Sequence, residues 1–89
     1  MRQTEFQIGD RCLFTFRDAT GIPVEVLKYH EEFSDCLWVS PDDPTYRMSG
    51  VFSKMIRDRY AIATNICYLK FVERTTEVED INIDISTLI

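Results

Sequence analysis

The chain has 89 residues and a net charge of −5, and 45% of its residues are hydrophobic and 12% aromatic. This length corresponds to one small domain with a thin core, and the composition excludes an intrinsically disordered chain. The acidic balance disfavours broad affinity for nucleic acid or anionic membranes, and no stretch reaches the roughly 20 apolar residues of a membrane span.

Apolar and polar residues alternate in short runs through the first 72 residues, and this period of two predicts β-strands. The predicted strands are residues 8–17, 22–29 and 36–40, a fourth beginning near Tyr46, and residues 60–72. Cys12, Phe14 and Phe16 show the alternation clearly, since all three fall on one face of the first strand. A turn is predicted at residues 18–21, with Gly21 at positive φ.

Two stretches of the body allow more than one local conformation. Residues 54–59 either continue the fourth strand into a turn, which we favour, or form one helical turn capped by Ser53. The last predicted strand is interrupted at Thr64 and Asn65, where either a tight turn or a 3₁₀ turn fits.

The end of the chain differs from the rest in charge. Residues 1–72 carry nine Lys or Arg against ten Asp or Glu, a balance of −1, whereas residues 73–89 carry one against five, a balance of −4. These two balances sum to the net charge of −5. We therefore divide the chain into a body, residues 1–72, and an acidic tail, residues 73–89.

The acidic tail also has the alternating pattern of a half-buried strand. Its apolar positions are Ile81, Ile83 and Ile85, and its polar positions are Asn82, Asp84 and Ser86. A lone strand is not stable, so the tail is expected to complete the body's own sheet, to pair across a homodimer, or to add to the sheet edge of a partner.

Three short motifs resemble parts of SH3-like barrels. Residues 8–11 look like the opening of such barrels, residues 21–27 and 37–39 look like their central strands, and residues 62–72 are similar to their closing 3₁₀ turn and last strand. The resemblance implies an all-β fold, a small five-stranded barrel with an additional C-terminal strand or tail. The chain lacks the Ala-Leu-Tyr-Asp-Tyr-type motif of peptide-binding SH3 domains, so proline-rich peptide binding is not carried over.

Signals of catalysis and of metal binding are nearly absent from the sequence. His30 is the only histidine, and its neighbours Glu31 and Glu32 would suit a general base. No activated nucleophile is near it in sequence, so a solvated loop histidine is the favoured interpretation. We therefore predict no enzymatic activity, no cofactor and no metal site.

The three cysteines, Cys12, Cys36 and Cys67, are far apart and form no CxxC motif, which argues against a disulfide framework or a zinc site. Each lies in an apolar run, so we expect three reduced thiols that pack as small core residues. No apolar run follows the first residues, so we expect no signal peptide and a cytoplasmic location.

Four cations between residues 46 and 60 form what we call the basic cluster: Arg47, Lys54, Arg57 and Arg59. With one acid among them, the segment carries +3, and aromatic residues are interleaved with the cations. The cluster indicates a solvated face, a nucleic-acid groove in which cations hold phosphates and rings stack on bases, or a dock for an acidic protein or another copy's tail.

These patterns predict a non-enzymatic protein-interaction or inhibitory module, in the manner of a small viral accessory protein, that binds a protein partner through an aromatic face and the acidic tail. The alternative is a nucleic-acid-associated SH3-like barrel that uses the basic cluster. The predicted partner-binding residues are Tyr29, Trp38, Tyr46, Arg47, Lys54, Arg57, Arg59, Ile81, Ile83, Asp84 and Ile85.

Overall fold

The computed structural model describes residues 3–74, and within them the fold is all-β. Six antiparallel strands form one sheet. They are β1 (Arg11–Phe16), β2 (Ala19–Tyr29), β3 (Cys36–Pro41), β4 (Ser53–Ile56), β5 (Arg59–Asn65) and β6 (Leu69–Glu73). Two 3₁₀ turns, Gln3–Glu5 and Ile66–Tyr68, accompany the sheet, and neither has the length to cross a membrane. The predicted tail strand lies outside the described residues.

The strands lie in the order β4-β5-β3-β2-β1-β6, so the sheet does not close into the predicted barrel. In the part of the chain that the structure describes, β4 pairs only with β5 and β6 pairs only with β1. Six strands replace the predicted five because a 3₁₀ turn divides residues 60–72. The Asn65 side chain caps this turn by accepting a hydrogen bond from the amide of Cys67 at 2.9 Å, so the predicted interruption is confirmed.

The strand predicted to begin near Tyr46 is absent, since residues 42–52 are irregular. The Asp43 carboxylate accepts a hydrogen bond from the Thr45 amide at 2.9 Å, and Gly50 has a φ of 77°. Both features interrupt extended backbone. A strand does follow at β4 and turns at residues 57–58, so the favoured interpretation of residues 54–59 is confirmed.

The first hairpin turns at Arg17 and Asp18, one residue earlier than predicted. Gly21 has the expected positive φ, 62°, but it lies within β2 and donates its amide to the Thr15 hydroxyl at 2.9 Å. The β1–β2 register shifts between Phe14 and Phe16, so the glycine accommodates an irregular stretch of the hairpin.

One face of the sheet, the inner face, carries the main core. Residues of five strands meet there with Phe6 and Ile66, and the partly buried side chains of Tyr46, Met48 and Val51 pack against them. The buried residues of this core are Phe6, Cys12, Phe14, Ala19, Val24, Val26, Leu37, Val39, Ile62, Ile66 and Leu69. The Tyr60 hydroxyl bonds to the amide and carbonyl of Met48, both at 3.1 Å, and so holds the irregular segment over the core.

The opposite face, the outer face, carries a second and smaller buried cluster of Leu27, Trp38 and Ala61. The β2–β3 register shifts between Val26 and Lys28, so Leu27 is an extra residue that no residue of β3 opposes. Leu27 lies with Trp38 on the outer face, and the extra residue shifts the alternation after it, so that Tyr29 packs against the inner core.

The last described residue, Arg74, is bound to the start of the domain. Its Nε and a terminal nitrogen donate to the two oxygens of the Asp10 carboxylate at 2.9 and 3.0 Å. Asp10 is fully buried, and its carboxylate also accepts a hydrogen bond from the Gln7 amide at 2.9 Å. The ion pair therefore joins the end of β6 to the segment that leads into β1.

The expectation of three core cysteines is correct only for Cys12. Cys12 is buried and Cys36 partly buried, while Cys67 is exposed on its 3₁₀ turn. Burial, with a smaller effect of the Asp10 charge, raises the pKa of the Cys12 thiol to about 11. Because the thiolate is the reactive form, Cys12 is doubly protected from reagents.

This difference predicts the order of thiol labelling. At pH 8 in native buffer, a small aromatic disulfide reagent should modify Cys67 fast, Cys36 more slowly, and Cys12 only when the domain unfolds. Mass spectrometry of digested samples along the time course assigns each site, and labelling in denaturant provides the control. Equal native rates for Cys12 and Cys67 would contradict the burial described here.

Candidate functional site: an aromatic groove on the outer face

A groove of about 330 Å³ opens on the outer face, between the β2–β3 loop and β4. Aromatic side chains and charged side chains share its lining. We call this surface the aromatic groove, and its residues are His30, Glu31, Glu32, Phe33, Trp38, Phe52 and Lys54.

Trp38 forms the floor of the groove. It lies in the middle of β3, where it faces away from the inner core, and only 6% of its surface is exposed. The His30 ring stacks on it, with centroids 5.5 Å apart and planes inclined by 7°. The Lys54 Nζ lies 4.5 Å from the indole centroid, a cation–π contact. Trp38 is therefore a packed support and contributes little exposed surface of its own.

Glu31 ties the loop to the sheet. Its carboxylate accepts a hydrogen bond from the Trp38 Nε1 at 2.9 Å, and Nζ of both Lys28 and Lys54 lies 3.2 Å from its other oxygen. These partners, with the indole hydrogen bond as the largest cause, hold the pKa of Glu31 far below its usual range. The loop residue is thus bonded at once to β2, β3 and β4.

His30 fixes the backbone of the same loop. Its Nδ1 accepts hydrogen bonds from the amides of Glu32 and Phe33, at 3.1 and 3.3 Å. The His30 amide donates to the Cys36 carbonyl at 3.3 Å, and the His30 ring lies 5.1 Å from the Phe33 ring. One imidazole therefore supports the floor of the groove and orients one of its walls.

The two walls are the exposed rings of Phe33 and Phe52. Phe52 is 83% exposed and Phe33 is 57% exposed, so both rings present apolar surface to water. Phe52 also lines a second, smaller cavity with Phe16 and Tyr68, so the apolar surface extends beyond the groove. Within residues 3–74, the Glu32 carboxylate forms no ion pair, whereas Glu31 has two lysine partners.

The predicted partner-binding residues divide among several places. Trp38 and Lys54 are in the groove, but Tyr29 and Tyr46 pack against the inner core. The Tyr29 hydroxyl donates to the Phe6 carbonyl at 2.6 Å. Ile81, Ile83, Asp84 and Ile85 lie outside the described residues.

The four cations of the basic cluster each have a partner within the domain. Lys54 binds Glu31, and Arg59 lies 2.8 Å from the Glu25 carboxylate. Arg57 donates to the Leu27 carbonyl at 3.1 Å. Arg47 donates to backbone carbonyls and lies 4.4 Å from the Tyr60 ring centroid. The nucleic-acid alternative that rests on this cluster stays a prediction from sequence.

Phe33, Phe52 and Glu31 are not among the predicted partner-binding residues, and the favoured interpretation of His30 is a solvated loop histidine. One signal was present for Phe33, which stands in the polar segment 30–35, where no strand-like alternation would bury it. Among the described residues, no group of three or more His, Cys, Asp or Glu side chains is placed to hold a metal ion. The groove's chemistry is that of binding: apolar walls, a rigid floor and one carboxylate without a cation.

Compared with known proteins, the chain matches no protein-family model, no curated protein and no solved structure.

Proposed function

We propose that this protein is a non-enzymatic interaction or inhibitory module that binds an apolar, basic segment of another protein in the aromatic groove. The observation that carries the proposal is the exposure of Phe33 and Phe52 on either side of the groove. Large apolar side chains held in the open above a rigid support are typical of contact surfaces, and aromatic anchors provide much of the energy of such interfaces.

The charges of the chain support a basic partner. Glu32 offers the groove a carboxylate that no cation of residues 3–74 neutralises, and the whole chain carries −5. Complementary charge accelerates association and excludes acidic competitors. The acidic tail, residues 73–89, would add to the same attraction, and its alternating isoleucines would pair with the partner's sheet edge or with a second copy.

Two finer features of the protein belong to the same proposal. We infer that the sheet is a variant of the SH3-like architecture that stays open between β4 and β6. The pairing of β1 with both β2 and β6, and the 3₁₀ turn before β6, support this relation. We also propose a cytoplasmic location, because an exposed thiol such as Cys67 is best preserved in a reducing compartment.

Site-specific photo-crosslinking tests the interaction. With p-benzoylphenylalanine in place of Phe52, irradiation in an extract of the native cell should give one dominant protein adduct. The same crosslinker in place of Phe71 provides the matched control, since Phe71 is 45% exposed but lies on β6, away from the groove. An equal adduct pattern from both positions would contradict a specific groove.

Second substitutions in the protein that carries the crosslinker at position 52 separate the contributions of Phe33, the acidic tail and charge. Phe33→Ser should lower the adduct yield at position 52 by about tenfold or more, which is the size of a hot-spot truncation. Phe71→Ser should leave it unchanged. Replacing Ile81 and Ile83 with Ser measures the part of the acidic tail, and added salt should reduce the yield if charge steers the encounter. No loss with Phe33→Ser would overturn the proposed function.

A further inference from the structure

His30 can hold the groove's loop only while its Nδ1 is unprotonated. Nδ1 accepts hydrogen bonds from the amides of Glu32 and Phe33 at 3.1 and 3.3 Å. A ring nitrogen accepts only through its lone pair, so the proton of the neutral ring is on Nε2. In the imidazolium form both nitrogens are donors, and neither amide bond can persist.

We propose that the aromatic groove is a pH-gated docking surface, in which protonation of His30 releases residues 31–33 and weakens binding. The inference rests on the proposed function, because it concerns the regulation of that groove. Histidine is the side chain that ordinarily changes charge between pH 5 and 8, so a test of the gate spans that range.

The groups around the ring define what protonation would change. Glu31 and Glu32 from the loop bring negative charge to this region, and the Glu31 carboxylate is 3.9 Å from Nδ1. Lys54 from β4 and Lys28 from β2 bring positive charge, and both are bonded to the Glu31 carboxylate. The ring itself is 13% exposed.

The Glu31 carboxylate, 3.9 Å away, is an acceptor for a proton on Nδ1. If the protonated His30 ring turns towards Glu31, it loses the hydrogen bonds from the Glu32 and Phe33 amides. It then competes with the Trp38 indole and with both lysines for the Glu31 carboxylate. The loop would therefore lose its internal support and weaken its attachment to β3 and β4 together. Phe33, one wall of the groove, would no longer be held in place through its amide.

The composition of the chain makes this event directly observable. The protein has one histidine and one tryptophan, and the two are stacked on each other at 5.5 Å. A charged imidazolium against the indole changes its fluorescence, so Trp38 reports on His30 without any label.

The first experiment uses the free, full-length protein. Between pH 8 and pH 5, Trp38 fluorescence should follow a one-proton transition, and the NMR signals of the Glu32 and Phe33 amides should shift with the same midpoint. His30→Asn places an amide oxygen near the position of Nδ1 and cannot be protonated, so it should abolish the transition. His30→Ala removes the acceptor and should show the low-pH amide positions already at pH 8. If the NMR signals of the Glu32 and Phe33 amides do not shift with the Trp38 fluorescence transition, the proposed gate is wrong.

The second experiment measures docking with the position-52 photo-crosslinker in native extract at pH 7.5 and 5.5. The adduct yield should fall about tenfold at the lower pH with His30 present and stay constant in His30→Asn. An equal fall in both would assign the effect to another group and overturn the inference, while the proposed function would stand. If Phe33→Ser leaves the yield at pH 7.5 unchanged, the proposed function fails, and the free-protein titration still decides the loop transition.

Discussion

Replacing Arg74 with alanine should lower the free energy of unfolding by about 3 kcal/mol, because it leaves the Asp10 carboxylate buried without its cation. Asp10 has no exposed surface, and Arg74 donates to both of its oxygens. Removing one partner of a buried pair typically costs about 3–5 kcal/mol, and we expect the lower end because the Arg74 side chain is 29% exposed. Urea unfolding followed by Trp38 fluorescence measures the change.

Arg17 provides the matched control for this variant. It is exposed on the first hairpin turn and forms no ion pair within residues 3–74. Arg17→Ala should therefore change the stability by no more than about 0.5 kcal/mol. Asp10→Asn combined with Arg74→Ala should cost less than the two single changes added together, since no charge is then left buried. Equal effects of Arg74→Ala and Arg17→Ala would show that the pair carries no stability.

The second large effect is expected at Trp38. Trp38→Ala should cost about 3–5 kcal/mol of stability, because it empties the centre of the outer-face cluster with Leu27 and Ala61. It also removes the indole donor that orients Glu31. Thermal and urea unfolding followed by far-UV circular dichroism measures the loss, since the variant has no tryptophan left for fluorescence.

Phe52→Ala is the control that distinguishes a loss of stability from a loss of a groove contact. Phe52 is the more exposed of the two aromatic walls, so its truncation should change stability by less than about 0.5 kcal/mol while removing a wall of the groove. Trp38→Ala would then lose binding because the domain is destabilised, and Phe52→Ala because a contact is gone. A Trp38→Ala variant as stable as Phe52→Ala would make Trp38 a surface residue, contrary to its position here.

Local patterns in the sequence were sufficient for most strands. Alternation predicted β1 through Cys12, Phe14 and Phe16, and Asn65 marked the end of β5 because its short polar side chain caps the following turn. The same reasoning failed at residues 42–52, where an Asx turn at Asp43 interrupts an otherwise strand-like composition. Period-two patterning says nothing about where a side chain bonds back to its own backbone.

The open sheet and the groove depend on contacts between residues distant in sequence. Whether β4 and β6 meet is decided by strand twist and loop packing, which no local run encodes. Glu31 was visible as one of several acids, but only the fold brings Lys54, 23 residues away, to the same carboxylate. The bulge at Leu27 likewise changes the face that Tyr29 joins, and nothing in the alternation of β2 marks it.

The edges of the open sheet have a consequence for solubility. An unpaired strand edge is a template for association between copies, and proteins limit that risk with short edge strands and charged edge residues. Here β4 has four residues and β6 has five, and Lys54, Lys70 and Glu73 are exposed on them. Beside these charges, β6 exposes Phe71 and Val72. Within residues 3–74, Lys70 and Glu73 are therefore expected to limit association at this edge, and neutralising both should increase aggregation.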